Sequence, residues 1–163
     1  MRKIILLFIV LFLLSGCCPD ESIGLKASWL GRRGNDYLEI WLPFYIPYDS
    51  MGKDFLYFRR EIPYSRNTEE SVRNALDELL KGPTEAEKEK GAYSLVKESR
   101  ILDLKIKRGK AIINFSQEFA PVGGSHAIWE CRIAVEEVLR QFPQIRKLEI
   151  FVEGRPASES LQP

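Results

Sequence analysis

Residues 101–119 read ILDLKIKRGKAIINFSQEF. Leu102, Leu104 and Ile106 alternate with Asp103, Lys105 and Lys107, and beyond Arg108-Gly109 the alternation resumes with Ala111, Ile113 and Phe115. Two runs of period two around a two-residue connection ending in Gly predict a β-hairpin closed by a primed turn, the class whose positive backbone angles match strand twist. The hairpin has one apolar face and is marginal alone, so other elements must cover it.

Those covers flank it in the sequence. On the N-terminal side, Asn67-Thr68-Glu69-Glu70 has the spacing of a capping box, with Asn67 as N-cap and Glu70 at the third helical position. Val72, Ala75, Leu76 and Leu79 then follow at i, i+3, i+4 and i+7, one stripe of an amphipathic helix that Gly82-Pro83 stops. Thr84 and Glu87 repeat the box spacing and predict one or two exposed turns of helix before Gly91. On the C-terminal side, Pro121 to Ser125 reads as a loop, with Ser125 as N-cap of a second helix from His126 to Phe142. Ile128, Cys131, Val135, Val138 and Phe142 mark its apolar stripe. Leu148, Ile150 and Val152 alternate in a last strand, after which Gly154 to Pro163 is expected to fray.

Upstream, Leu25–Leu30 predicts a short strand and Gly31–Asp36 a turn. Tyr37–Ile46 and Phe55–Ile62 read as strands joined by a turn over Tyr48–Lys53, with Pro43 confining the later part of the first to a sheet edge or ending it. The order β-β-α-β-β-α-β, with helices on one side of a mainly antiparallel sheet, predicts an α+β two-layer sandwich. It has one mixed sheet of about five strands, two helices packed on one face, and a split βαβ unit from Phe55 onward.

The N-terminus sets the expected compartment. Arg2 and Lys3 precede an unbroken apolar run from Ile4 to Leu14, too short to span ~30 Å of hydrocarbon but right for the core of a signal peptide. Leu14-Ser15-Gly16-Cys17 resembles the bacterial lipoprotein signal, which implies cleavage before Cys17 and a lipid on its thiol. A plain secretory peptide is the alternative, and both readings place the chain outside the cytosol. Two acyl chains suffice for stable anchoring, and a tether of about ten residues reaches no more than ~35 Å, which keeps the domain near the membrane.

The whole chain carries 24 basic and 23 acidic side chains in 163 residues. Loss of residues 1–16 removes Arg2 and Lys3, leaving 22 basic against 23 acidic, a net charge of −1. Neither value suits a nucleic-acid partner, and no basic run is present to follow a phosphate backbone. Cys18 and Cys131 could pair in an oxidising compartment, although Cys131 falls on an apolar helix stripe, where a free thiol behaves as a small hydrophobe. No Cys/His spacing suggests a metal, and no cofactor motif is present.

Several motifs taken in order carry a resemblance: Ala75-Leu76-Asp77-Glu78-Leu79-Leu80-Lys81-Gly82-Pro83-Thr84, a charged turn to Gly91, and Gly109-Lys110-Ala111-Ile112-Ile113-Asn114-Phe115-Ser116-Gln117-Glu118-Phe119. Gly124-Ser125 with Glu130, Phe142-Pro143, and Ile150-Phe151-Val152-Glu153-Gly154-Arg155-Pro156 complete the series. Together they resemble the GerMN domain of sporulation and spore-germination lipoproteins, over about Tyr37 to Pro156. The chain then divides into a signal peptide (1–16), an anchor and tether (17–36), a GerMN-like domain (37–156) and a tail (157–163). The resemblance implies a non-catalytic, envelope-tethered module that makes protein contacts, or cell-wall contacts, in spore development or germination.

The candidate site residues follow from this. Trp41, Phe44, Tyr45, Tyr48, Phe55, Tyr57 and Phe58 crowd two adjacent strands, and alternation cannot send all of them to one core, so Trp41, Phe44, Tyr45, Tyr48 and Tyr57 are candidates for an interaction surface. Gly124 and Ser125 at a helix start could present free amides to an anion. Glu118 and Glu130 flank the glycine loop and could act as a carboxylate pair on a glycan, which makes a cell-wall hydrolase the enzymatic alternative. His126 has no second ligand and Ser116 lacks a nucleophile-elbow setting, so both read as structural.

Overall fold

The structure is a computed structural model that describes residues 31–33, 36–46, 55–96, 98–119 and 124–157; of 31–33 and 124–128 only the backbone is described. The leader, Cys17, Cys18, the tether, the expected Leu25–Leu30 strand, the Tyr48–Lys53 turn and the end of the tail lie outside those residues.

Strands β1 (Gly31–Arg33), β2 (Tyr37–Tyr45) and β3 (Phe55–Pro63) form an antiparallel sheet in the order β1-β2-β3. Helix α1 (Thr68–Leu80) and the single turn α2 (Glu85–Lys88) follow. A second sheet takes β4 (Ile101–Lys107), β5 (Lys110–Phe115), β6 (Lys147–Val152) and β7 (Arg155–Pro156), in chain order. Helix α3 (Gly124–Leu139) is the crossover between β5 and β6, which run parallel. The α+β class is as expected from the sequence. The expected single sheet is instead two, because β4 never meets β3: the outward N–H of Ile106 on β4 donates to Glu69 Oε2 at 3.0 Å. A carboxylate from α1, which packs on β2, β3 and β4, occupies the place a further strand would take.

The hairpin itself forms as read. Lys107 pairs with Lys110 across Arg108 (φ 50°) and Gly109 (φ 75°), the two positive angles of a primed turn. Gly109 has a second reason to be Gly, since a Cβ there would meet Gln144 O at 3.1 Å.

Asn67 caps α1 through Oδ1, which accepts from Glu69 N at 3.0 Å, but Glu70 does not close the box and instead accepts from the Ser65 hydroxyl at 2.6 Å. Gly82 ends α1 in the left-handed region (φ 80°). Three other boundaries differ from expectation. Gly31–Arg33 is a strand rather than part of a turn. Helix α3 begins at Gly124, so Ser125 lies inside its first turn rather than capping it, and the helix ends at Leu139, with Phe142 in the following turn. Gly154 does not fray: Glu153 (φ 48°) and Gly154 (φ 77°) form a second primed turn that folds β7 back on β6.

In β2 the even residues Leu38, Ile40, Leu42 and Phe44 are buried, facing a core shared with α1, α3 and the second sheet. The odd residues from Trp41 onward turn their backbone groups to the open edge beyond β1. Trp41 N–H donates to Gln141 Oε1 at 2.8 Å, Gln141 Nε2 donates to Trp41 O at 2.6 Å, and Tyr45 exchanges bonds of 3.0 and 2.9 Å with Tyr93. Pro43 shares that parity, so its missing N–H belongs to the open edge and costs no ladder bond, as its sequence reading required.

Candidate interaction surface

The aromatics singled out in the sequence separate by strand parity. Phe44 is 1% exposed and packs in the core, where it meets Phe58 at 6.1 Å between ring centroids, so it offers no surface to a partner. Tyr48 lies outside the described residues. Trp41, Tyr45 and Tyr57 are half-buried on the opposite face of the β2–β3 pair. Tyr57 is committed to that face: its hydroxyl donates to Glu137 Oε2 of α3 at 3.4 Å, and burial followed by the Glu137 charge pushes the phenol up to about 12.

Tyr45 sits edge-on to Phe55 (6.0 Å) and to Tyr93 (4.8 Å). With Pro43 and the segment Tyr93–Val96 these rings face Glu130, Cys131 and Ala134 of α3 across a crevice of about 10 Å³, room for one water at most. Tyr93 was not among the sequence candidates. Its single bridge to Tyr45 is a pairing 48 positions away that no local pattern encodes. It is 36% exposed, and burial, with Tyr45 and Glu130 adding, pushes its phenol up to about 12. The most exposed large apolar rings among the described residues are Tyr37 and Trp129, at 52% and 48%. Trp129 also escaped the sequence reading, because it falls beside the apolar stripe of α3.

The two acids do not share a setting. Glu130 is 4% exposed, within the crevice. Glu118 is solvent-exposed on the 3-10 turn Gln117–Phe119, where a hydrogen bond with Ser116 holds its carboxyl below the usual range, the opposite of what a general acid needs. Burial, then the Glu130 charge, pushes the free Cys131 thiol up to about 12, which leaves it unreactive. Gly124 and Ser125 begin α3, and their side chains are not described. Among the described residues no group of His, Cys, Asp and Glu could hold a metal, and no helix is long and apolar enough to cross a membrane.

The Asn114–Phe119 motif builds the fold. Asn114 Oδ1 accepts from Gly154 N at 2.9 Å, fixing the β6–β7 turn, and Ser116 Oγ accepts from Arg100 N at 3.0 Å. Phe119 stacks on Phe115 with ring centroids 4.1 Å apart.

A family model described as "Germane: Sporulation and spore germination" matches residues 43–158. Among solved structures, the tandem GerMN domains of the sporulation protein GerM from Bacillus subtilis align at TM-score 0.55 and 16% identity, over 77% of this chain and 42% of that one. The first GerMN domain of the same protein aligns at TM-score 0.49 and 20% identity, over 72% and 85%. A Clostridium perfringens protein titled as a candidate lipoprotein aligns at 0.47 and 23%, over 76% and 82%. The chain thus spans less than half the length of the tandem structure, and the likeness to it is one of fold. Curated protein sequences hold no significant match.

Proposed function

Because the chain belongs to the Germane family of sporulation and spore germination, whose model covers residues 43–158, we propose that it is a lipid-anchored, extracytoplasmic and non-catalytic module that makes protein–protein contacts in the bacterial envelope, in sporulation or germination. The match over most of the domain carries this reading. The lipoprotein-like Leu14–Cys17 supports the anchor. Two features support contact over catalysis. The motif residues Asn114, Ser116 and Phe119 are engaged in holding turns and packing the core. Glu130 faces a space far below the ~300 Å³ at which small-ligand pockets begin, and Glu118 is held ionised in solvent.

The test combines a fatty-acid probe in growing cells with purified chain on peptidoglycan sacculi. The expected outcome is labelling that depends on Cys17, no muropeptide release and no co-sedimentation. Release that Glu118→Gln abolishes would make the protein a hydrolase; sedimentation without release would make it a wall-binding module. An unlabelled chain found in the cytosol would contradict the anchor.

A further inference from the structure

A groove of about 340 Å³ lies between the last turns of α3 and the start of β6, within the size range of ligand sites. Leu139, Ile145 and Leu148 give it apolar surface, and Arg132, Arg140, Arg146 and Lys147 surround them, with Glu136 as its one acid. This cationic cluster stands on a chain of nearly balanced charge. Arg132 pairs with Glu136 at 2.8 Å with its own side chain more than half exposed, a weak, exchangeable surface pair, whereas Arg140 is held by the buried Glu137. Arg146 and Lys147 have no ion pair among the described residues.

One wall of the groove is a sheet edge. Lys147 N and Glu153 N both donate toward β5, to Gly109 O at 3.2 Å and Phe115 O at 2.9 Å. Alternation then turns the N–H and C=O of Leu148 and Ile150 away from β5. The short β7 covers that side only at Phe151 and Val152, and among the described residues no other strand pairs with the edge alongside the groove. A strand edge beside a helix is the geometry in which extended peptides add to a sheet, main-chain bonds giving affinity and alternate side chains giving specificity. Glu149, on the face of Lys147, is already paired with Lys110 at 2.7 Å, which leaves Arg146 and Lys147 to set the sign of the side chains that the edge accepts.

We propose that this groove receives an extended acidic segment of a partner protein, which adds as a strand to the free edge of β6, its carboxylates on Arg146 and Lys147 and its alternate apolar side chains against Leu139 and Leu148. The proposal rests on the protein-contact reading and supplies the partner's chemistry.

The probe is a fluorescein-labelled decapeptide of alternating Glu and Val, titrated into the full-length chain in detergent micelles at low salt, with a Lys-Val peptide as control. The Glu-Val peptide is expected to bind about tenfold or more tighter than the control, and Arg146→Glu with Lys147→Glu to remove that preference. The amide signals of Leu148 and Ile150 should shift and gain exchange protection. Leu148→Pro, which removes an outward N–H and leaves the β5 ladder intact, should abolish binding in a chain that still melts cooperatively. Equal binding of both peptides, no binding by the folded chain, shifts elsewhere, or binding of inorganic phosphate or anionic vesicles in place of the peptide would each overturn the proposal. If the peptide fails while a crosslinker at Trp129 still captures an envelope protein in cells, the groove is wrong and the contact role stands; if that capture also fails, both fall.

Discussion

At Glu87 a buried carboxylate, 6% exposed, accepts from Arg60 Nη1 and Nη2 at 2.6 and 2.5 Å and from Thr84 N at 2.8 Å. Burial pushes the carboxyl up, but the bonds from Arg60 and Thr84 outweigh it and hold it below the usual range. The sequence predicted exposed turns here; the cap spacing of Thr84 and Glu87 was legible, but the partner 27 positions upstream was not. Breaking such a pair leaves a charge without its counter-ion, so Glu87→Gln is expected to lower stability by about 3 kcal/mol in urea denaturation at neutral pH. Since the folded carboxyl titrates below its unfolded value of about 4.3, its contribution is complete above that pH and is lost as pH falls through the folded value. The variant's deficit should therefore shrink in acid; a deficit independent of pH would assign the loss to packing. Asn67, Gly82 and Gly109 were readable because a cap, a helix stop and a primed turn are local chemistry.

Elements here are bounded by how each strand edge is closed. β2 ends its ladder against a side-chain amide, Gln141, which binds both backbone groups of Trp41, then against Pro43 and the Tyr93 bridge; β4 ends against Glu69. Replacing Gln141 by Leu keeps the volume and removes both bonds, leaving a backbone donor and acceptor unmatched. Thermal and urea unfolding should report a loss of about 2 kcal/mol; a loss below 0.5 kcal/mol, the scatter of ordinary surface changes, would show that water replaces the amide. This closure explains why alternation located the strands and the core face yet misjudged the sheet. Period two states which side of a strand is buried and is silent on its neighbour, and the residues that decide the neighbour, Gln141 and Glu69, lie 100 and 37 positions from the groups they cap. For β7 the local signal is Glu153-Gly154, whose positive angles make the turn back onto β6.

At the scale of the molecule, among the described residues two sheets and two long helices share one core, and a rim of rings, a tight crevice and a basic groove lie outside it. The family was legible because its motifs are the turns and caps that build this core. The surface was less so: of the aromatics proposed, Phe44 belongs to the core and Tyr57 to a contact with α3, while the exposed Trp129 sits in a helix whose period drew attention to its other side. The central claim, that this surface touches another protein, is tested most directly by placing a photo-crosslinking residue at Trp129 in the full-length chain in living cells. The account predicts a discrete adduct with one envelope protein, lost when Cys17 is replaced. Absence of any protein adduct at this position, at Tyr93 and at Arg146, in a folded and membrane-bound chain, would contradict it.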